Sequence, residues 1–480
     1  MSKARRIGLI IGLLFFMIPL IMSAPEGMSV AAWRTAGVAL LLAAWWATEV
    51  LPIPVTSLLP MLLFPALGVL TMGESTAPFA RPTIFLLLGG FIIATALARW
   101  NLHRRLALNI LVRVGNNPAS IIGGFMAATA LMSMWISNTA STIMMIPIAL
   151  SLAGEIVKDR DARHQGFILC LVLGIAYSAS IGGLGTPIGT PPNLFVVSFM
   201  KETYGIEISF FTWMLFGIPT VIIMVPLAWF VLTRWAYPFN LSDAPVAQEL
   251  LREKLTAMGP MTTPERRVAY VFLSVAVSWI FRVPLQQNLH ILLWLNDAMI
   301  AIGGASVLFL IPSGCTTEKG TALLDWDSAN RIPWGVLLLF GGGLSLAAAV
   351  KASGLAIWLG TALSVLGTLP LIVMILCLVA MVIFMTELTS NTATVATLLP
   401  VLGALAVMTG IDPMMLFAPV ALAASCAFML PVATAPNAVI YSTGEVTIPQ
   451  MANAGFRLNL VGIVAVTSLS YVLVPVIFGQ

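Results

Sequence analysis

The sequence predicts an all-α polytopic membrane protein, with about eleven transmembrane helices and two re-entrant hairpins in an inverted five-span repeat. Of its 480 residues, 59% are hydrophobic and only 9% are charged, and the mean hydropathy is +1.01. This composition excludes a water-soluble globule. The apolar segments also recur at the length of a bilayer crossing. Finally, the tripeptide Ser-Asn-Thr occurs twice, at 137–139 and 390–392, each time inside a long apolar stretch.

The predicted crossings are apolar segments bounded by charged or Pro/Gly-rich stretches. Most are near the ~20 residues that a helix needs to cross a ~30 Å hydrocarbon core. They are residues 7–23, 31–48, 54–72, 83–98, 167–200, 211–233, 268–281, 294–312, 333–350, 414–443 and 455–478. The first predicted crossing, 7–23, follows Lys3, Arg5 and Arg6 and ends near small residues. Cleaved signal peptides share this pattern. We expect an uncleaved helix.

Two further apolar stretches, 118–157 and 369–409, are about twice the length of a crossing, and each carries one Ser-Asn-Thr near its centre. Two full passages would place these polar residues in an outer turn, where no special chemistry is needed. A re-entrant hairpin explains the polarity better. Non-helical backbone at membrane depth is tolerated only where protein or a water-filled cavity surrounds it, so the hairpin tips are predicted to line a site.

The positive charges predict the orientation, because Lys and Arg are retained on the cytoplasmic side. With the N-terminus in the cytoplasm, the 23 basic residues divide into 18 inside and five outside. The outer five are Arg34, Arg81, Lys201, Arg282 and Lys351. The first hairpin then enters from the cytoplasm, the second enters from the opposite side, and the C-terminus lies outside. A bacterial inner membrane is expected.

The order of Gly-Gly span, hairpin and Pro-broken span recurs along the chain and predicts its domains. The segments are a first transmembrane helix (1–30), repeat 1 (31–234, with hairpin 118–157 and broken helix 167–200), a cytoplasmic connector (235–265) and repeat 2 (266–480, with hairpin 369–409 and broken helix 414–443). Five crossings in each repeat invert the second copy relative to the first. Inverted repeats with broken helices are typical of alternating-access transporters. Interfacial helices are expected at 99–115 and 351–368.

Each Ser-Asn-Thr is followed some fifty residues later by a related break, Gly189-Thr190-Pro191-Pro192-Asn193 and Ala433-Thr434-Ala435-Pro436-Asn437. Exposed helix ends at tips and breaks bring dipoles that favour anions at N-termini and cations at C-termini. Hard alkali cations prefer oxygen ligands. Two Na+ clusters follow: Ser133, Ser137 and Asn138 with the Gly189 carbonyl, and Thr386, Thr389 and Asn391 with the Ala433 carbonyl.

Structural interpretations compete with these functional ones. A single Ser-Asn-Thr usually makes helix–helix hydrogen bonds, and a single Pro-Pro-Asn usually makes a kink, but two of each in the same order favour a site. Glu49 is interpreted as a structural break at a span end. Glu387 is either functional or a structural carboxylate that bonds the hairpin backbone.

Other site classes are not indicated by the sequence. The four cysteines, at 170, 315, 377 and 426, are far apart and predict core packing rather than a metal site or disulfide framework. The basic residues form no basic face, so no nucleic-acid partner is expected. No catalytic motif is present, and an enzyme is not predicted.

At the paired tips and breaks the chain resembles the divalent anion:sodium symporter family, over essentially its whole length. By this resemblance, Na+ would be bound at both clusters, and a small dicarboxylate would be held by Ser-Asn-Thr and break residues. The substrate-binding set implied is Ser137, Asn138, Thr139, Thr190, Ser390, Asn391, Thr392, Thr434 and Ala435. The family also implies a homodimer in the lipid bilayer and an elevator mechanism, with a scaffold around 31–98 and 266–350.

The resemblance predicts sodium-coupled symport of a C4 dicarboxylate of the succinate, malate and fumarate class. Thr139 and Thr392, at the third position of each tripeptide, look like the dicarboxylate-transporting members. One departure is Ala435, which stands where the first break has Pro191. The alternative is a sodium-independent exchanger of the same family, moving citrate or tartrate against succinate.

Overall fold

A computed structural model describes residues 3–156, 162–241, 245–315, 320–363 and 368–479. Within these ranges the chain is helical and contains no β-strand, apart from one isolated antiparallel bridge between Pro312 and Ala322. Three residues of the charge count, Lys158, Arg160 and Lys319, lie outside the described residues.

The helices follow the predicted spans. The first half contains α1 (Lys3–Ile21), α2 (Val30–Thr48), α3 (Ile53–Thr56), α4 (Leu59–Ala66), α5 (Met72–Thr76), α6 (Pro82–Arg99), α7 (Leu102–Leu111), α8 (Pro118–Ser133), α9 (Asn138–Ile156), α10 (Ala162–Gly182), α11 (Pro191–Phe199) and α12 (Phe210–Phe230). The second half contains α13 (Pro245–Ala257), α14 (Thr263–Asn288), α15 (Asp297–Leu310), α16 (Trp326–Ala329), α17 (Trp334–Ala352), α18 (Leu355–Leu363), α19 (Leu371–Thr386), α20 (Asn391–Thr409), α21 (Met414–Ala424), α22 (Ala435–Ser442) and α23 (Ile448–Ile477). Short 3-10 or π turns lie at 77–80, 183–185, 200–204, 231–236 and 290–292.

Nine helical segments in the described ranges are long and apolar enough to cross a membrane. Seven coincide with predicted crossings: Val30–Thr48, Met72–Arg99, Gln165–Gly185, Phe210–Ala236, Thr263–Asn288, Trp334–Ala352 and Ile448–Ile477. The other two, Asn138–Ile156 and Asn391–Thr409, are the second arms of the predicted hairpins. The all-α membrane fold class is therefore confirmed.

One predicted crossing, 54–72, is not a single helix. The chain there forms α3 and α4, and a left-handed Gly68 ends the apolar stretch before α5. Pro54, Pro60 and Pro65 each remove a backbone N–H, and a proline inside a helix also clashes with the preceding turn. The segment is therefore divided into short helices that pack against α17.

Each hairpin consists of two antiparallel helices joined by a short tip. In the first, Asn117 caps α8 by accepting from the N–H groups of Ala119 and Ser120, and the tip is residues 134–137. In the second, α19 follows Pro370 and the tip is residues 387–390. The second arm α20 ends at Gly410, whose φ of 67° is the left-handed conformation that favours glycine.

The Gly-Gly spans pack tightly against helices of the other half. A Cβ on Gly89 of α6 would lie 2.6 Å from the Ala301 carbonyl carbon of α15. A Cβ on Gly342 of α17 would overlap the Ser57 carbonyl beside α3. Close backbone approach requires glycine at both positions. The Gly-Gly helix of each half therefore packs against a segment of the other half.

Ion pairs connect residues that the charge count places on the same side of the membrane. Arg105 and Glu265 approach to 3.0 Å on the side predicted to be cytoplasmic. On the opposite side, Arg282 pairs with Asp297 at 2.7 Å. Glu49 ends α2 in the left-handed conformation, with φ of 48°, and lies 3.9 Å from Arg5. Glu49 is thus the residue that terminates α2.

Candidate functional site

The first hairpin tip gathers two oxygen atoms around one buried hydroxyl. Ser133 Oγ lies 2.5 Å from Asn138 Oδ1 and 2.6 Å from the carbonyl oxygen of Ala179 in α10. Ser133 is fully buried, and Asn138 is the first residue of α9. A serine hydroxyl has one proton and can donate it to only one of these two acceptors. The cluster is therefore rich in lone pairs, which suits an alkali cation.

The first break brings two glycines against this cluster. A Cβ on Gly183 would lie 2.9 Å from Asn138 Oδ1 and 3.0 Å from the Gly189 carbonyl oxygen. A Cβ on Gly189 would lie 2.5 Å from the Gly183 carbonyl oxygen. The Gly189 carbonyl thus faces the same small space as the Asn138 side chain. The predicted ligands Ser133, Asn138 and Gly189 are brought together by this packing.

Asn193, the last residue of the first break motif, holds the break in its non-helical form. Its Nδ2 donates to the carbonyl oxygens of Gly183 at 3.0 Å, Leu184 at 3.3 Å and Thr186 at 2.8 Å. The Thr186 hydroxyl in turn donates to the Met134 carbonyl at 2.5 Å. A fully buried amide therefore satisfies carbonyls that a broken helix leaves without partners.

The second hairpin tip has the same construction. Thr386 Oγ1 lies 2.7 Å from Asn391 Oδ1 and 2.9 Å from the carbonyl oxygen of Ala424, the last residue of α21. Thr386 is fully buried. The threonine hydroxyl has one proton for two acceptors, as at the first tip. Thr386 and Asn391 are therefore brought together as predicted.

The second break is held by the equivalent asparagine. Asn437 Nδ2 donates to the carbonyl oxygens of Ala427 and Leu430, both at 3.0 Å. The Ala433 N–H donates to Leu430 O at 3.2 Å, as the Gly189 N–H donates to Thr186 O at 3.3 Å. In both breaks the asparagine amide thus bonds to the carbonyls seven and ten residues before it.

Glu387 differs from everything at the first tip. It is 3% exposed, and its two oxygens accept hydrogen bonds from the N–H groups of Phe428, Met429 and Leu430, at 2.8 to 3.2 Å. Asn459 Nδ2 of α23 also donates to it at 2.8 Å. The sequence left Glu387 as functional or as a carboxylate bonded to the hairpin backbone. The structure shows it bonded to the backbone of the broken helix instead.

The tips and breaks of the two halves meet. Thr190 Oγ1 lies 3.5 Å from Ser425 Oγ, so the first break contacts the second. Helix α22 packs against α9 and α10, and α11 packs against α20 and α21. Four helices therefore begin around one region, at Asn138, Pro191, Asn391 and Ala435. Their N-terminal N–H groups favour an anion there.

The remaining predicted residues are placed around this region with different exposures. Ser137 and Ala435 are exposed, Thr139, Ser390 and Thr434 are half-buried, and Thr190 and Thr392 are buried. Thr434 Oγ1 accepts from the Asn437 N–H at 3.3 Å, and so caps α22. Thr389 forms no hydrogen bond to Asn391. Its hydroxyl instead donates to the Met385 carbonyl at 2.9 Å and lies 2.7 Å from the Thr394 hydroxyl.

No Lys or Arg occurs in the sequence of the hairpins and breaks, at 118–156, 167–200 and 369–443. A bound dianion would therefore find helix N-termini and hydroxyl groups but no fixed positive side chain. Burial of an uncompensated charge is costly inside a membrane protein. The arrangement of two lone-pair-rich clusters beside an anion-favouring region suits joint binding of cations and an anion.

A family model described as "Sodium:sulfate symporter transmembrane region" matches residues 3–477. The chain belongs to this family. The resemblance to divalent anion:sodium symporters, which the tips and breaks indicated, is confirmed. Members of this symporter family are transporters. The prediction that the chain is not an enzyme is therefore confirmed.

Two relatives of the chain within the family match it over nearly their whole length. It is 41% identical over 483 residues to the sodium-dependent dicarboxylate transporter SdcS of Staphylococcus aureus, covering 100% of this chain and 93% of the relative. It is 42% identical over 478 residues to the protein of the same name from Staphylococcus saprophyticus, covering 98% and 92%.

A solved structure shares the fold. The Alcanivorax borkumensis YdaH transporter, whose crystal structure is described as revealing an unusual topology, has a TM-score of 0.60 to this chain. The two are 15% identical, and the match covers 100% of this chain and 99% of that chain. At this identity the likeness concerns the fold alone.

Sequence reasoning missed Asn193, Asn437 and Gly183 as site-forming residues. Both asparagines were inside the motifs that the sequence singled out, but their amides bond to carbonyls seven to ten residues away around a break. A buried amide at the same place in both breaks was the signal that could have found them. Gly183 had no comparable signal, because its role depends on the approach of Asn138 from another helix.

Proposed function

We propose that the chain is a sodium-coupled symporter of a C4 dicarboxylate, which works by an elevator mechanism. The observation that carries the proposal is the matched pair of oxygen clusters, Ser133–Asn138 and Thr386–Asn391, beside four helix N-termini. The two Staphylococcus relatives carry the name sodium-dependent dicarboxylate transporter. Their identity to this chain over its full length supports the same coupling and substrate class.

The proposed binding mode follows from charge. Each cluster takes one Na+, with oxygens of the tip residue pair and of the Gly189 or Ala433 carbonyl as ligands. The substrate carboxylates are then held by Asn138, Thr139, Asn391, Thr392 and Thr434, with Ser137, Ser390, Thr190 and Ala435 at the edges of the pocket. Two cations neutralise the dianion, so that the loaded site carries little net charge as it crosses the membrane.

The proposed moving body consists of the hairpins and the broken helices. These elements pack on one another across the two halves. The scaffold is proposed to comprise residues around 31–98 and 266–350, whose close contacts are between α6 and α15 and between α17 and α3–α5. A homodimer in a bacterial inner membrane, with a cytoplasmic N-terminus and an external C-terminus, completes the proposal.

Uptake by purified protein in proteoliposomes tests the function. Labelled succinate, malate, fumarate, citrate and tartrate are offered with an inward Na+ gradient or with K+ in its place. Sodium-coupled symport requires that succinate-class uptake collapses in K+. Uptake that is unchanged in K+ but needs a carboxylate inside the vesicles would instead establish the sodium-independent exchanger.

A matched pair of variants locates the site. Asn138→Ala and Asn391→Ala remove one amide from each cluster and should each abolish Na+-dependent uptake. The control is Asn288→Ala, at the exposed end of α14, whose amide bonds only within its own helix. Uptake that survives in both tip variants would contradict the proposed site.

A further inference from the structure

The two hairpin tips are alike in their oxygen clusters but different in charge. Met134 and Glu387 occupy the same place in the two hairpins, each directly after the residue whose hydroxyl forms the cluster, Ser133 or Thr386. Met134 takes part through its carbonyl, which accepts from the Thr186 hydroxyl. Glu387 takes part through a carboxylate. The difference between the two residues is one formal negative charge.

The second break needs this carboxylate because its helix ends earlier. In the first half, α10 ends at Gly182 and a 3-10 turn continues to Gly185, so the backbone N–H groups there remain inside helical turns. In the second half α21 ends at Ala424, and the next helix begins only at Ala435. The N–H groups of Ser425 and Cys426 still bond to carbonyls of α21, whereas those of Phe428, Met429 and Leu430 bond to the Glu387 carboxylate.

The hydrogen bonds of Glu387 define its ionisation state by geometry. All its partners are donors: three backbone N–H groups and the Asn459 amide, at 2.8 to 3.2 Å. A protonated carboxyl group would have to donate to an acceptor, and the three backbone N–H groups that contact both carboxylate oxygens can only donate. The arrangement therefore holds a carboxylate anion at the second tip.

The charge sits next to the proposed cation ligands. Thr386, the preceding residue, bonds Asn391 and the end of α21, while Glu387 bonds the residues that follow α21. The break is braced from two further helices, because Tyr177 of α10 donates to the Phe428 carbonyl at 2.8 Å and Asn459 belongs to α23. Neighbouring residues of one tip thus hold the start and the middle of the same break.

We propose that Glu387 is a positioning residue that makes the second hairpin tip the tighter of the two cation sites. Its anion lowers the electrostatic free energy of a cation at the Thr386–Asn391 cluster, and its hydrogen bonds fix the backbone that leads to the Ala433 carbonyl. The first tip has the same oxygen ligands without the charge. The second tip therefore fills first as Na+ rises. This inference rests on the proposed sodium coupling.

The test measures cation binding without substrate. Purified protein in detergent is titrated with NaCl at constant ionic strength, with choline as the replacement ion, and the melting temperature reports binding. Glu387→Gln removes the charge and keeps one carbonyl acceptor, and we expect its Na+ half-saturation to rise about tenfold. Glu387→Asp retains the charge and should recover most of that loss. A purely structural role would lower the melting temperature of both variants in choline and leave the Na+ half-saturation unchanged.

A second comparison does not depend on the stability of the Glu387 variants. Ser133→Ala and Thr386→Ala remove the equivalent hydroxyl from each tip. The inference requires that only Thr386→Ala abolishes the rise in melting temperature at low Na+. Equal effects of the two, or an unchanged titration in a folded Glu387→Gln protein, would overturn the inference while leaving sodium coupling intact. A wild-type protein whose melting temperature does not respond to Na+ would overturn the proposed function, and the inference with it.

Discussion

A single methyl group at Gly183 should disable the proposed cation site at the first tip. The substitution Gly183→Ala places a Cβ 2.9 Å from Asn138 Oδ1 and 3.0 Å from the Gly189 carbonyl oxygen. Ordinary van der Waals contact begins at 3.4 Å, so each oxygen must retreat by about half an ångström. Neither can do so freely, because Asn138 Oδ1 contacts Ser133 and the Gly189 N–H is bonded to Thr186.

The expected magnitude follows from the cost of overpacking. Forcing one extra methyl group into a well-packed site typically costs about 1–3 kcal/mol. If the strain is relieved by displacing the two oxygens, this free energy is lost from cation binding, where every ~1.4 kcal/mol is a factor of ten. We therefore expect the Na+ half-saturation for substrate binding to rise between about 5-fold and 150-fold.

Isothermal titration with succinate at a series of Na+ concentrations measures this shift. The control is Gly154→Ala, in the second arm of the same hairpin, where an added Cβ meets nothing within 4 Å. This control should bind as the wild type does and be slightly more stable, since alanine favours a helix over glycine by roughly 1 kcal/mol. A Gly183→Ala protein with a Na+ half-saturation within about twofold of the wild type would refute the geometry argued here.

Three further predictions concern stability. Asn437→Ala leaves the carbonyl of the buried Ala427 without this donor, whereas Leu430 O keeps the Ala433 N–H; the change should cost about 1–3 kcal/mol, seen as a lower melting temperature, and an unchanged value would contradict its role at the break. Asp297→Ala removes the buried partner of Arg282, whose side chain is 6% exposed, and leaves the half-exposed Glu207 as its acidic partner, so it should cost about 1.5–3 kcal/mol, while Arg81→Ala, at a half-exposed pair, should cost less than about 1 kcal/mol; equal losses in thermal unfolding would refute the distinction. Burial lowers the pKa of His103, in the short helix α7, so the unfolded chain binds its proton first and stability is lost as pH falls below about 6.5. His103→Gln should reduce the difference in melting temperature between about pH 7.5 and pH 5.5, and an unaltered difference would exclude this group as its source.

The sequence predicted the features that rest on local pattern. Both hairpins were placed to within a few residues, because each joins two apolar stretches at a polar tripeptide. The short helix α13 lies in the expected connector, and α7 and α18 lie where interfacial helices were expected. These elements are specified by hydropathy and turn residues over short windows, which a single sequence contains in full.

The sequence did not predict features that depend on contacts between distant residues. Glu387 was recognised as an intramembrane acid, but its partners lie about forty residues further along the chain, in a break whose length was not readable. Thr389 was expected among the cation ligands, yet its hydroxyl is taken by Met385 and Thr394 of its own hairpin. Which of several nearby hydroxyls faces a site depends on the backbone path at the tip, and composition does not specify that path.

The contact between Thr190 and Ser425 has a consequence for leakage. Each tip is bonded to the break of its own half, by Thr186 to Met134 and by Phe428 to Glu387, and the two breaks touch at the hydroxyls of Thr190 and Ser425. Under the proposed function, a displacement caused by filling one tip would pass to the other through these two side chains. A carrier built in this way would resist moving with only one ion bound, because the opposite break would not have its loaded arrangement. Slippage, in which Na+ crosses the membrane without substrate, would be suppressed by side-chain packing rather than by a separate gate.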